Sequence, residues 1–279
     1  MDKQLDLRFH VEMKKHFLLP GNICKIRPFK KYKEITGYAN NPFSLLKSIL
    51  KKTDEVIMLT PYLPSVYQEL KSICSISCVT DISEIAPSTK TKAIFLANPN
   101  PLTGRGYKDV AMISLMEIVK KNNLYLIVDE TESIFYKKFI SFTFYKDLLY
   151  NRLIIFNRLS YKNNDLAMIY CPKGVYKKNH FTATKSLIRF YQSKRLLKKR
   201  EEIKNINYCL LADFCEKNHL IYMKNSKASF LVMNINRFVM ENKNIKVYFG
   251  EDIGMEGSYV GVSLIDNPKK IKQMIKRFK

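Results

Sequence analysis

From Asn40 onward, segments with apolar residues at helical spacing alternate with short continuous apolar runs. Pro42 to Lys52 carries Phe43, Leu45, Leu46, Ile49 and Leu50 with lysines between them, which predicts a helix, and Glu55 to Leu59 follows as a buried strand. Ser65–Ile73 reads as the next helix, Cys78–Thr80 as a short strand, and Lys92–Ala97 as a strand that ends in the turn-rich run Asn98-Pro99-Asn100-Pro101-Leu102-Thr103-Gly104. Tyr107–Asn122 is helical, Leu124–Val128 is an apolar strand that stops at Asp129-Glu130, and Arg152–Asn157 supplies a further strand. This alternation predicts an α/β fold: a mostly parallel sheet flanked by helices, with chemistry-bearing residues gathered where the strands end.

After about Lys185 the pattern changes. Ser186 to Lys217 reads as one long helical stretch with a break expected near Lys204, followed by strands at Ala228–Met233 and Tyr259–Leu264 and a closing helix from Pro268. The expected division is an N-terminal arm over 1–33, a large α/β domain over 34–185 and a smaller C-terminal α+β domain over 186–279.

Composition narrows the function classes. The 279 residues are 46% hydrophobic, enough for a substantial core, and no stretch approaches the roughly 20 uninterrupted apolar residues of a membrane span. The N-terminal segment has neither the apolar run nor the small-residue cleavage site of a secretory signal, so a cytoplasmic protein is expected. The six cysteines show no zinc-ligand spacing and read as reduced structural thiols, and the four histidines sit in no motif, so no metal site is expected. A formal net charge of +23 would favour anionic partners. Yet the lysines are spread along the whole chain, and the densest basic run, Lys194 to Arg200, lies inside a helical pattern where it reads as a solvated face. Nucleic acid is therefore not the expected partner.

Three strand ends carry candidate chemistry: the Asn98–Gly104 turn, Asp129-Glu130, and Arg158-Leu159-Ser160-Tyr161-Lys162. In order and spacing they resemble the pyridoxal-phosphate-dependent aminotransferases of classes I and II, fold type I, especially members similar to histidinol-phosphate aminotransferase and threonine-phosphate decarboxylase. The resemblance runs over most of the chain. Ile35 to Asn41 resembles the family's T-N-G-A-N-E phosphate-cup turn, Asp54-Glu55-Val56-Ile57 its G-D-E-V-L strand, and Pro61-Tyr62-Leu63-Pro64 its P-T-Y-P. Arg158 to Lys162 resembles R-[ST]-x-S-K, and Ser226–Val232 and Ser258–Ser263 resemble the family's two C-terminal strands.

The resemblance implies pyridoxal 5'-phosphate as cofactor, Lys162 as the lysine that forms a Schiff base with its aldehyde, and Asp129 as the acid beside the pyridine nitrogen. Ala39, Asn40 and Tyr62 fall on other cofactor-binding positions, while Asn100 would serve one by a local shift and Ser160 is adjacent to one. It also implies a small amino-group substrate, transamination or a related decarboxylation, and a homodimer.

Departures accompany the matches. Pro101 stands where the family's second turn asparagine contacts the cofactor's phenolic oxygen, and Glu132 where a tyrosine does so. Leu159 replaces a hydroxyl, and the G-L-R after the lysine is missing between Met168 and Ile169 with its phosphate-binding arginine. Gly261 stands where an arginine would grip a substrate carboxylate, and Arg105 and Arg158 are candidates to replace the lost anion contacts. Two alternatives therefore stand beside the enzyme: a homologue that keeps the fold without turnover and acts as a partner or scaffold, and a basic nucleic-acid-binding protein.

Overall fold

The computed structural model describes residues 5–6, 34–40, 42–136, 139–149, 151–158, 166–172, 175 and 194–278. In chain order the strands are β1 (Leu5–Asp6), β2 (Glu34–Asn40), β3 (Glu55–Leu59), β4 (Ser75–Val79), β5 (Thr91–Ala97), β6 (Tyr125–Asp129), β7 (Leu153–Arg158), β8 (Leu166–Pro172), β9 (Phe230–Asn234), β10 (Ile245–Lys246), β11 (Tyr248–Phe249) and β12 (Tyr259–Ser263). The helices are α1 (Phe43–Leu46), α2 (Pro64–Lys71), α3 (Asp109–Lys121), α4 (Lys146–Leu149), α5 (Lys194–Lys217), α6 (Arg237–Asn242) and α7 (Pro268–Arg277).

A seven-stranded sheet of order β2-β8-β7-β6-β5-β3-β4 forms the centre. Strands β4, β3, β5, β6 and β7 pair in parallel, while β8 runs antiparallel to both β7 and β2. Strands β3, β5, β6 and β7 are apolar on both faces because both faces are covered, whereas β4 at the sheet edge is partly exposed. Val56, Met58, Phe95, Ile127, Ile154 and Phe156 pack on one side with Phe43 and Leu46. Ile57, Leu59, Ile94, Leu96, Leu126 and Val128 pack on the other with Met112, Leu115, Met116 and Val119 of α3. Each strand thus alternates which core it feeds, as the two-residue strand period requires.

A three-stranded sheet of order β11-β12-β9 lies in the C-terminal part. Strand β9 divides its side chains between two cores. Phe230 and Val232 join the core of the large sheet, while Leu231 and Met233 pack with Leu211, Phe214, Ile271 and Met274 of α5 and α7. Among the described residues, no helix is long and apolar enough to cross a membrane.

Three local expectations are corrected. The helix expected over Pro42–Lys52 holds only over Phe43–Leu46. The Ser48 hydroxyl bonds back to the Leu45 carbonyl at 2.7 Å, and the Asp54 carboxylate takes the Lys51 amide at 2.7 Å, so turns replace the later helical bonds and bury Leu50 before β3. The segment likened to a phosphate-cup turn is mostly strand β2, which pairs along its length with β8. The break expected near Lys204 is absent: α5 runs unbroken through it, because Lys204 is buried and anchored rather than solvent-facing. The part of that stretch before Lys194 lies outside the described residues.

Candidate active site

The site is built on the C-terminal end of β6, where an apolar strand runs into Asp129, Glu130, Thr131 and Glu132, all buried. Burial of four such polar groups in sequence demands partners for each. The backbone locks the corner first: the Glu130 amide donates to the Phe156 carbonyl at 2.7 Å, and the Asn98 amide donates to the Asp129 carbonyl at 2.9 Å. The three strand ends singled out in the sequence therefore meet here, β5 and β7 flanking β6.

Asp129 is bound on both oxygens. Its Oδ1 accepts the Thr131 amide at 3.1 Å and the Thr131 hydroxyl, while its Oδ2 faces Arg158 Nη2 at 2.5 Å. The Thr131 oxygen in turn accepts the Arg158 amide at 2.9 Å, so one hydroxyl ties the acid to the neighbouring strand. Arg158 is itself buried, with its guanidinium carbon 6.0 Å from the centre of the Phe43 ring. Arg158 was expected to replace a lost anion contact. It is instead turned onto Asp129, because a carboxylate buried here needs a counter-charge more than a bound anion does.

Glu130 and Glu132 face elsewhere. Glu130 accepts Ser141 Oγ at 2.7 Å and the Phe142 amide at 2.8 Å, fixing the segment ahead of α4, and burial pushes its carboxyl up to about 7. Glu132 accepts Ser229 Oγ at 2.5 Å, a contact spanning 97 positions of sequence. Lys204 lies close enough for the Glu132 charge to act on it; burial lowers the Lys204 pKa, and the Glu132 charge opposes that fall. The Lys204 ammonium donates to the Lys227 carbonyl at 3.0 Å and sits 3.8 Å from the centre of the Phe135 ring.

The remaining expected site residues are distributed as follows. Asn100 is held on both ends of its amide: its Oδ1 accepts the Leu102 and Thr103 amides within its own turn, and its Nδ2 donates to the Pro61 carbonyl, in the connection after β3, at 2.7 Å. Tyr62 stacks on Tyr67 with centroids 4.9 Å apart, next to Gly254, whose φ of 71° and close approach to the ring leave no room for a side chain. Burial raises the Tyr62 phenol above its ordinary pKa, with Cys78 adding to the shift. Ala39 and Asn40 are the last residues of β2, beside Ala167 and Leu166, and the first helical residue is Phe43. Ser160 and Lys162 lie outside the described residues, in the connection that joins the paired ends of β7 and β8. Arg105 is exposed. A Cβ on Gly261 would lie 3.4 Å from Leu102 and 3.7 Å from Ile253, so apolar packing fills the space beside this position.

Sequence reasoning missed Thr131 and Lys204 as parts of this region. An acid followed two positions later by threonine was the available signal for the first. A groove of about 520 Å3, lined by Asn98, Tyr107, Tyr136 and Phe139 among others, opens beside these strand ends.

Solved structures share this architecture. An aspartate aminotransferase variant from Thermus thermophilus superposes with a TM-score of 0.69 at 18% identity, covering 88% of this chain and 79% of that one. The chain has an aminotransferase fold. An aromatic aminotransferase from Pyrococcus horikoshii matches with a TM-score of 0.69 at 16% identity, over 88% of this chain and 78% of the other. A Methanococcus jannaschii protein, described as similar in its active site to kynurenine aminotransferases, matches at 0.67 and 18% identity over 87% and 74% of the two chains. No protein-family model matches the sequence, and no curated protein matches it in sequence. At such identities the likeness establishes the fold, and chemistry has to be argued from the site.

For pyridoxal phosphate the decisive observation is the acceptor capacity of Asp129. An ionised carboxylate offers about four lone-pair positions. Among the described residues two donors from Thr131 and one from Arg158 fill three of them, and a position on Oδ2 remains for a ring nitrogen. In acceptor count, Asp129 fits the protonated ring nitrogen of that cofactor.

Proposed function

We propose that this chain is a pyridoxal-phosphate-dependent aminotransferase-like enzyme acting on a small amino-group substrate, by transamination or a related decarboxylation. The observation that supports this most is a buried acid with spare acceptor capacity at the end of β6, in an aminotransferase fold, beside the strand that leads into Lys162. When bound, the cofactor supplies an electron sink for bonds at the substrate's amino-bearing carbon. Lys162 would carry the cofactor on its amine and move a proton at that carbon. Asp129 would orient the ring through its nitrogen, with Thr131 and Arg158 holding the carboxylate in place. Tyr62, Ser160 and the chain at Ala39 and Asn40 would complete the contacts, and Asn100 would act by fixing the turn beside them. The closer likeness to histidinol-phosphate aminotransferase and threonine-phosphate decarboxylase, a homodimer and a cytoplasmic setting belong to the same proposal.

The test is an absorbance spectrum of the protein with pyridoxal phosphate, followed by a screen of amino donors. A lysine-bound chromophore that is lost in Lys162→Ala and bleached by a donor supports the reading. Absence of the band at saturating cofactor contradicts it.

A second reading has its own observation. Asn100 is occupied by its turn amides and the Pro61 carbonyl, Glu132 is tied to Ser229, and Gly261 is packed against Leu102 and Ile253. These favour a chain that keeps the fold, and even the cofactor, without turnover. A bound chromophore that no amino donor bleaches is its signature.

A further inference from the structure

On the side of the large sheet away from Phe43, helix α3 runs beside the segment 139–149, and Met112, Leu115, Met116 and Val119 share a core there with Phe142 and Leu149. A hollow opens between the two elements at each end. The first, of about 520 Å3, is formed by Lys108 and Val110 at the start of α3 with Tyr136 and Ile140. The second, of about 400 Å3, joins Val119 and Lys120 at the end of α3 to Leu148 and Arg152. Along this face large apolar side chains are open to solvent: Val110 is 77% exposed and Phe144 79%, and Ile113, Ile140 and Leu148 are exposed as well. Val110 and Ile113 lie three positions apart on α3, and Ile140, Phe144 and Leu148 recur every four positions through a 3-10 turn and α4, so each wall presents one apolar row. We propose that this face docks an amphipathic helix of another protein, with apolar anchors along one side and acidic side chains flanking them.

Length and shape favour a helix. The 13 residues of α3 span about 20 Å, so the two hollows are spaced for a partner helix of about three turns with its outer anchors roughly 11 residues apart. Each hollow has ample room for a large apolar side chain projecting from such a helix. A bilayer surface laid across the same face would leave both hollows empty, without the contacts that filling them supplies.

Charge decides between partners. Lys108 is exposed at one end of the face and Lys120 and Lys121 at the other, where the Arg152 guanidinium lies 5.2 Å from the centre of the Tyr125 ring. Of the acids on α3, Asp109 takes a hydrogen bond from Tyr145 on the opposite wall, and Glu117 continues the row of Val110 and Ile113. Cations thus predominate at both ends, and acidic flanks on a partner would meet them. A second copy of this chain would bring a net charge of +23 of its own, and like-charge repulsion opposes that pairing.

The experiment selects from a phage-displayed library of randomised helical peptides on the full chain, with the Val110→Ser/Phe144→Ser double variant used to discard binders of other surfaces. Both positions are exposed, so the variant keeps its core. The expected winners carry apolar residues at i, i+4, i+7 and i+11 with a surplus of Asp and Glu, and bind the double variant about tenfold more weakly or worse. Lys108→Glu with Lys120→Glu should weaken the same peptides and reduce the salt dependence of their binding. Winners with basic flanks, winners without the apolar spacing, peptides bound equally by the double variant, or a selection that yields none overturn the proposal.

The other occupants have their own signatures, and each overturns it too. A dimer in sedimentation that the double variant converts to monomer gives the face to a second copy. Binding to phosphatidylserine vesicles that the double variant abolishes gives it to a membrane. A photo-cross-linking residue at position 144 that couples within its own chain shows the face already covered by this protein.

Discussion

Asp129 and Glu132 leave the same strand end three positions apart, both buried acids, and they are satisfied in opposite ways. The partners of Asp129 are local to the large sheet: Arg158 on the adjacent strand β7 and Thr131 in the following turn. Glu132 reaches out of the sheet to Ser229, just ahead of β9, and feels the charge of Lys204 on α5. The first acid stiffens the crest of the sheet, on which a ligand would sit. The second fastens the C-terminal part of the chain to that crest, alongside the Ser229 and Phe230 amides bonded to the Pro101 carbonyl. Burial of a carboxylate therefore does not by itself mark chemistry; its spare acceptor capacity and its neighbours decide.

The largest effect expected from breaking this comparison comes at Arg158. Arg158→Met leaves the Asp129 carboxylate buried without its counter-charge and should cost about 3–5 kcal/mol in denaturant unfolding. Adding Asp129→Asn should recover a good part of that loss, since the stranded charge is then gone.

Next comes Glu130, whose carboxyl is raised by burial. Its folded pKa of about 7 lies above the ordinary value of 4.5, so the folded chain holds a proton that the unfolded chain releases. Its contribution to stability is fully present below about pH 4.5 and is lost as the pH rises through about 7. At roughly 1.4 kcal/mol per unit the swing amounts to about 3–4 kcal/mol. Unfolding free energies measured across that window should show this slope, and Glu130→Gln should flatten it.

A smaller loss is expected at Glu132. Glu132→Gln keeps an acceptor for Ser229 but removes the charge facing Lys204, and should cost about 1–3 kcal/mol. Combined with Lys204→Met the losses should fall short of additive, because both substitutions remove one shared interaction. Strict additivity in the four-variant cycle would show that the two groups do not interact.

The smallest effect belongs to the turn. Asn100→Asp keeps both amide contacts at Oδ1 and removes the donor to Pro61, for an expected loss of about 1–2 kcal/mol by the same unfolding measurement.

The contrast also explains what the sequence made legible. Strands β3, β5, β6 and β7 stood out because continuous apolar runs bounded by turns have few other readings, and Asp129 stood out because it ends one of them. Strand β2 did not, since its pairing with β8 lies more than a hundred positions away and Ile35–Asn41 contains only turn-like residues between its apolar ones. Helix α1 was overestimated because apolar spacing continued past the point where Ser48 and Asp54 capture the backbone. Arg158 was visible as a residue, but the direction of its side chain depends on the register of β7 against β6. Lys204 was read only as the place near which the long helix breaks. Its burial is set by Phe135, Glu132 and Lys227, none of them near it on the helix.

The most direct test of the cofactor assignment is chemical. The protein is incubated with pyridoxal phosphate, reduced with borohydride, digested and mapped by mass spectrometry. The expected result is a single reduced adduct on Lys162. An adduct scattered over surface lysines, or none at all, would contradict the assignment of this crest as a cofactor site.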